Sequence, residues 1–163
     1  MKSLVKLNGK KHNQKMGVDQ MKYKVAFVCV GNSCRSQMAE GFAREFGKDI
    51  LDVYSAGTHP AGSVNKNAIE VMKEKGIDIS KQYPKLLEDI PESFDILITM
   101  GCDVKCPYVP SKMSEDWDLD DPVGKPIEFF RKIRDIIEMK VKELVKKVEE
   151  GKIENKNDFN PLL

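Results

Sequence analysis

The chain has 163 residues, 33% of them charged, and a formal net charge of +1. That length suits one domain with a real hydrophobic core, and the even charge balance argues against nucleic acid or a membrane surface as the main partner. No apolar run approaches the roughly 20 residues of a spanning helix, so a cytoplasmic protein, most simply a monomer, is expected, with its cysteines held as thiols.

Residues 1–21 are lysine-rich and aperiodic, without the apolar stretch of a secretory signal. They predict a basic, disordered extension, and Met21 offers an alternative start. The β-branched run YKVAFVCV, 23–30, predicts a buried parallel strand. After the short loop GNSC, the segment SQMAEGFAREF sets Met38, Phe42 and Phe46 on one helical stripe, with Ala39 and Ala43 beside it. LDVYSAG, 51–57, predicts a second strand. NKNAIEVMKEKG predicts a helix that turns Ala68, Ile69 and Met72 inward and stops at Gly76. FDILITM, 94–100, predicts a third strand. The stretch from Gly101 to Lys125, rich in Pro and Asp, reads as loop.

From Pro126 to Val148 apolar residues recur at helical spacing, among them Phe129, Ile133, Ile137, Val141 and Leu144. Pro126 suits a first turn. Residues 151–163 read as a polar tail. Strands alternating with helices imply one α/β domain over 22–150, a parallel sheet flanked by helices on both faces.

The chemistry concentrates at FVCVGNSCRS, 27–36. A five-residue loop between Cys29 and Arg35 can curl its backbone N–H groups around a tetrahedral oxyanion, and the next helix adds its positive end. Val30, Gly31, Asn32, Ser33, Cys34, Arg35 and Ser36 are the oxyanion-binding candidates. Arg35 can grip two oxygens at once. The same donors stabilise a thiolate, so Cys29 is the candidate nucleophile, with Ser36 as a further donor to its sulfur. A Walker loop is excluded, since no Gly-Lys-Ser/Thr follows. The plain alternative is a buried cysteine at a strand end. Zinc on Cys29, Cys34, Cys102 and Cys106 is disfavoured by spacings that lack short knuckles, and no metal site is expected.

CVGNSCRS resembles the C-x5-R-S loop shared by low-molecular-weight protein tyrosine phosphatases and the arsenate reductases related to them. TMGCDVKCPYVP, 99–110, separates the two activities. A phosphatase has no use for a second thiol pair, whereas a reductase must supply two electrons, which thiols do by forming a disulfide. Cys102 and Cys106 follow the third strand. In a helical turn their Cα atoms would stand about 6 Å apart, within disulfide range. This segment, with VYSAGTHPAGSVN, AIEVMKEKGIDIS and EDWDLDDPVGK, is similar to the thioredoxin-coupled arsenate reductases, over Lys22 to about Val145.

The resemblance implies a four-stranded parallel sheet in the order 2-1-3-4. It also implies the roles. Cys29 attacks arsenate and Arg35 steadies the oxyanion. Asp121, before the proline of LDDP, protonates the leaving hydroxide; Asp120 is its competitor. Cys102 and Cys106 relay the disulfide outward to thioredoxin, through a movement of the 101–110 loop. Phosphate and sulfate would compete for the loop, and no tightly bound cofactor is implied. Trp117 is expected to anchor the acidic loop, Cys34 to pack the anion loop, and His59 to be surface.

The pattern departs from the family twice. The distal cysteines are closer together than in many thioredoxin-linked members, which leaves glutaredoxin with glutathione open as reductant. Some members bind potassium through an Asn, a Glu, a Ser and an Asp; Asn32, Glu40 and Ser55 match, but Lys85 stands in the fourth place. An ammonium there repels a cation and could replace its charge, so no potassium requirement is expected. A phosphatase carrying two extra thiols, or a thiol-based metalloid or metal binder without turnover, are the alternatives.

Overall fold

The computed structural model describes residues 22–101 and 109–153. The predicted basic extension, the polar tail beyond 153, and both Cys102 and Cys106 lie outside the described residues. The elements run β1 (Tyr23–Cys29), α1 (Arg35–Phe46), β2 (Leu51–Gly57), α2 (Lys66–Lys73), β3 (Phe94–Thr99), β4 (Ser111–Asp116) and α3 (Ile127–Glu149), with a single 3-10 turn at Leu87–Asp89. The strands form one parallel sheet in the order β2-β1-β3-β4.

β1 lies at the centre because it is apolar on both faces. Val25 and Phe27 enter the larger core, and Ala26 and Val28 the smaller one. Alternate residues of a strand point to opposite faces, so a strand between two cores must be apolar throughout. The larger core takes Met38 and Phe42 of α1, Ala68, Val71 and Met72 of α2, and Phe130, Ile133, Ile137, Val141 and Leu144 of α3. All three long helices therefore share one face. The opposite face is closed by Ile90, Phe94 and Leu97, with Leu87 of the 3-10 turn packed against them. Helical cover on both faces thus holds on the second face only as this one turn, among the described residues.

α2 is capped by Asn65, whose side chain accepts from the N–H of Asn67 at 2.8 Å, satisfying a donor that the first turn leaves open. Gly76 follows its end at φ 75°, the left-handed conformation that favours glycine. Pro126 is the N-cap of α3. One segment departs from the sequence expectation. Residues 111–116, read there as loop, are the edge strand β4, paired with β3 from Phe94↔Ser111 to Thr99↔Asp116. SKMSED is mostly exposed and supplies little apolar signal. It is a strand because β3 offers it a ladder, and its charges suit an open sheet edge.

Among the described residues no helix is long and apolar enough to cross a membrane.

Candidate active site

The carboxyl ends of the strands converge on one edge, where Cys29 of β1 pairs with Gly57 of β2, and Val28 with Thr99 of β3. In an open parallel sheet this edge is where ligands bind. From Cys29 the chain enters the loop 30–34, and its hydrogen bonds account for the loop's shape. The carbonyl of Cys29 accepts from the N–H of Thr58 at 3.3 Å, that of Val30 from His59 at 2.9 Å, that of Gly31 from Ala61 at 2.9 Å, and that of Ser33 from Asn65 at 2.9 Å. The carbonyl of Asn32 accepts from Nε2 of Gln37 at 2.9 Å.

Each trans peptide plane aims its N–H opposite to its C=O, and the described residues contain no cis bond. With these carbonyls turned out onto the 58–65 segment and Gln37, the N–H groups of residues 30 to 34 turn inward. The N–H of Asn32 shows this directly, donating to the sulfur of Cys29 at 3.1 Å. A concave ring of amides at a helix start is suited to hold an anion. Gly57 lets the loop come this close. A Cβ there would stand 2.5 Å from the carbonyl oxygen of Val30 and 3.1 Å from the nitrogen of Asn32.

Behind the sulfur lies a buried polar chain. Nδ2 of Asn32 donates to Ser36 Oγ at 2.8 Å and to Ser55 Oγ at 3.0 Å, while its Oδ1 accepts from the N–H of Lys85 at 2.9 Å. That main-chain donor fixes the orientation of the amide. Asn32 sits at φ 48°, a conformation asparagine tolerates. Ser36 Oγ, already accepting from Asn32, is 2.9 Å from the sulfur and has its proton left for it. The Ser55 hydroxyl in turn donates a hydrogen bond to Glu40 Oε1 at 2.8 Å. The Lys85 ammonium stands 3.7 Å from that same carboxylate oxygen. Burial pushes Lys85 below the ordinary lysine value, and Glu40 opposes the shift.

Arg35 is buried and anchored by one nitrogen. Its Nη1 donates to the carbonyls of Met100 at 2.7 Å and Leu119 at 2.8 Å. Among the described residues Nε and Nη2 have no hydrogen-bond partner, a pair that could meet two oxygens of an anion. Of the two adjacent acids it is Asp121 that reaches this group, with Oδ2 3.8 Å from Nη2 and an exposed side chain. Its Oδ1 accepts from the N–H of Val123 at 3.1 Å. Gly101, the residue before Cys102, donates its N–H to Asp116 Oδ1 at 2.8 Å, an oxygen that also accepts from the Thr99 hydroxyl.

Cys34 packs into the core, and burial pushes its thiol up to about 11. Trp117 is buried against Phe27, with ring centroids 5.7 Å apart. The ring of His59 is exposed at Thr58, and it is the backbone N–H of His59 that serves the loop. Sequence reasoning singled out Cys29, Arg35, Ser36 and Asp121, which the fold brings to one edge. It passed over Gln37, Gly57 and the 58–65 backbone. The last acts through main-chain N–H groups, which carry no side-chain signal.

Residues 24–154 match the family model of the low molecular weight phosphotyrosine protein phosphatases. The chain is 45% identical over 121 residues to an arsenate reductase of Staphylococcus aureus strain Newman, covering 72% of this chain and 92% of that protein. It is 44% identical to arsenate reductase 2 of Staphylococcus saprophyticus, covering 73% of this chain and 93% of that protein. Among solved structures it superposes on an arsenate reductase in the phosphate binding state, at a TM-score of 0.72 and 42% identity, covering 77% of this chain and 98% of the other. It also superposes on the thioredoxin-dependent arsenate reductase of Corynebacterium glutamicum, at a TM-score of 0.67 and 28% identity, covering 87% and 72%.

Proposed function

The chain belongs to the low molecular weight phosphotyrosine protein phosphatase family, and we propose that within it the protein reduces arsenate to arsenite by a thiol relay regenerated by thioredoxin. The observation that carries the reading is the ring of inward N–H groups around the sulfur of Cys29, with Arg35 anchored beside it. Similarity to arsenate reductases, one of them with phosphate bound, directs the choice of oxyanion.

The Cys29 thiolate attacks arsenic in the loop, an S–As bond forms, and the departing hydroxide takes a proton from Asp121 and leaves as water. The Cys102 thiolate then attacks the Cys29 sulfur. The new S–S bond releases the S–As electron pair to arsenic, which leaves as arsenite in the +3 state. Cys106 attacks Cys102, freeing Cys29 and closing a Cys102–Cys106 disulfide. A dithiol such as thioredoxin returns two electrons to that disulfide. Met100, two residues before Cys102, has its carbonyl on Arg35, which supports a distal thiol segment starting beside the loop. Glutaredoxin with glutathione is the alternative reductant. Potassium is not required, because the Lys85 ammonium already faces Glu40.

The test is arsenate-dependent NADPH oxidation in the presence of thioredoxin and thioredoxin reductase. Wild type should turn over steadily, and Cys106→Ser should stop after a single turnover. If arsenate drives no oxidation with either reductant system, the relay is wrong. A phosphatase acting on phosphate monoesters is the second reading, favoured by the family model itself. Aryl phosphate hydrolysis lost in Cys29→Ser, without arsenate reduction, would establish it.

A further inference from the structure

Of the carbonyls that the anion loop turns outward, those of Cys29, Val30, Gly31 and Ser33 are held by main-chain N–H groups, and that of Asn32 is held by a side chain. We propose that Gln37 is a positioning residue for oxyanion binding, whose amide sets the Asn32–Ser33 peptide so that the N–H of Ser33 faces the bound anion. This rests on the reading of the loop as an oxyanion site.

Gln37 is fully buried on α1, and both ends of its side-chain amide are hydrogen-bonded. Nε2 donates to the Asn32 carbonyl at 2.9 Å and to the Tyr83 carbonyl at 3.0 Å. Oε1 accepts from Nε2 of Gln82 at 2.8 Å, and the same Gln82 nitrogen donates to the Gln37 carbonyl at 3.0 Å. Gln82 therefore decides the orientation of the Gln37 amide. With Oε1 occupied by a donor, Nε2 must face Asn32 and Tyr83.

The adjacent 82–86 segment is tied to the same loop residue, since the N–H of Lys85 donates to Asn32 Oδ1. Without the Gln37 donor, the Asn32 carbonyl would be a buried acceptor with no partner among the described residues. Its peptide would then gain by rotating, which would withdraw the N–H of Ser33 from the ring. The N–H of Asn32 belongs to the preceding peptide, which Ala61 holds, so its bond to the sulfur would survive.

That asymmetry gives the test, on the full-length protein. Cys29 is alkylated with iodoacetamide at neutral pH, and inorganic phosphate is titrated in as protectant. Gln37→Met keeps the side chain's length and removes its donor. Phosphate protection should weaken about tenfold, while the rate without phosphate stays within about twofold of wild type. Equal loss in both readings, or change in neither, would overturn the proposal, because a packing role has no reason to separate them.

Gln82→Met frees the amide from outside and decides the matter if Gln37→Met does not fold. It should weaken protection about threefold, since the Gln37 donor is then unlocked rather than lost. Unchanged protection would overturn the proposal. A wild-type protein that phosphate does not protect overturns the oxyanion reading itself and this role with it, whereas a protected wild type with equally protected variants overturns this role alone.

Discussion

The hydroxyl of Ser36 lies 2.9 Å from the sulfur of Cys29 while its oxygen accepts from Asn32 Nδ2 at 2.8 Å. With Asn32 donating to its oxygen, Ser36 is placed to donate its proton to the sulfur, and against a thiolate that bond is charge-assisted. Ser36→Ala should slow alkylation of Cys29 at neutral pH about tenfold, the worth of one hydrogen bond to a charged group. An unchanged alkylation rate would show that the N–H of Asn32 suffices alone.

Gly57 should accept no side chain. The obstacle to a Cβ is the carbonyl oxygen of Val30 at 2.5 Å, a backbone atom that His59 holds in place. Gly57→Ala must push the loop outward. We expect a loss of about 1–3 kcal/mol in stability, typical of overpacking, and weaker protection of Cys29 by phosphate. Thermal unfolding and alkylation of the same sample check both.

Lys85 predicts indifference to the monovalent cation. Its ammonium is 3.7 Å from Glu40, at the far end of the chain that runs through Ser55 and Asn32 to Ser36. A cation brought to this carboxylate meets a charge already present. Arsenate turnover in sodium and in potassium buffers of equal ionic strength should agree. A large stimulation by potassium would refute the idea.

Glu74 joins α2 to α3. Arg131 hydrogen-bonds both of its oxygens and Arg134 reaches one of them. The Arg131 hydrogen bonds, with Arg134 adding to them, hold Glu74 down to about 2. A carboxylate lowered in the folded state adds stability above its unfolded value, about 4.3. That stability is lost as pH falls through the folded value. Glu74→Gln should therefore melt earlier than wild type at pH 7, and the gap should close between about pH 5 and pH 2. A gap that does not change with pH would mean the substitution acts through packing.

The strands β1, β2 and β3 and the three helices were legible because each carries an apolar pattern of its own period: the continuous run of YKVAFVCV, the Met38–Phe42–Phe46 stripe, and the repeat from Phe129 to Val148. The grouping of Cys29, Arg35 and Ser36 was legible too, because residue type and spacing single them out and the strand-to-helix turn keeps them together. β4 was not legible. Its residues are polar, and the ladder with β3, not its own preference, makes it a strand.

The direction of the loop's amides was not legible either. It is decided by N–H groups of Thr58, His59, Ala61 and Asn65 and by the buried amide of Gln37, distant in sequence or silent in type. A main-chain donor is the same at every non-proline residue, so its role exists only once the fold has placed it. The sequence by itself determined the sheet's core strands and set a cysteine and an arginine, with five residues between them, at the end of the first one. Only the tertiary structure decided which donors hold that loop's carbonyls outward and so turn its amides in toward the cysteine.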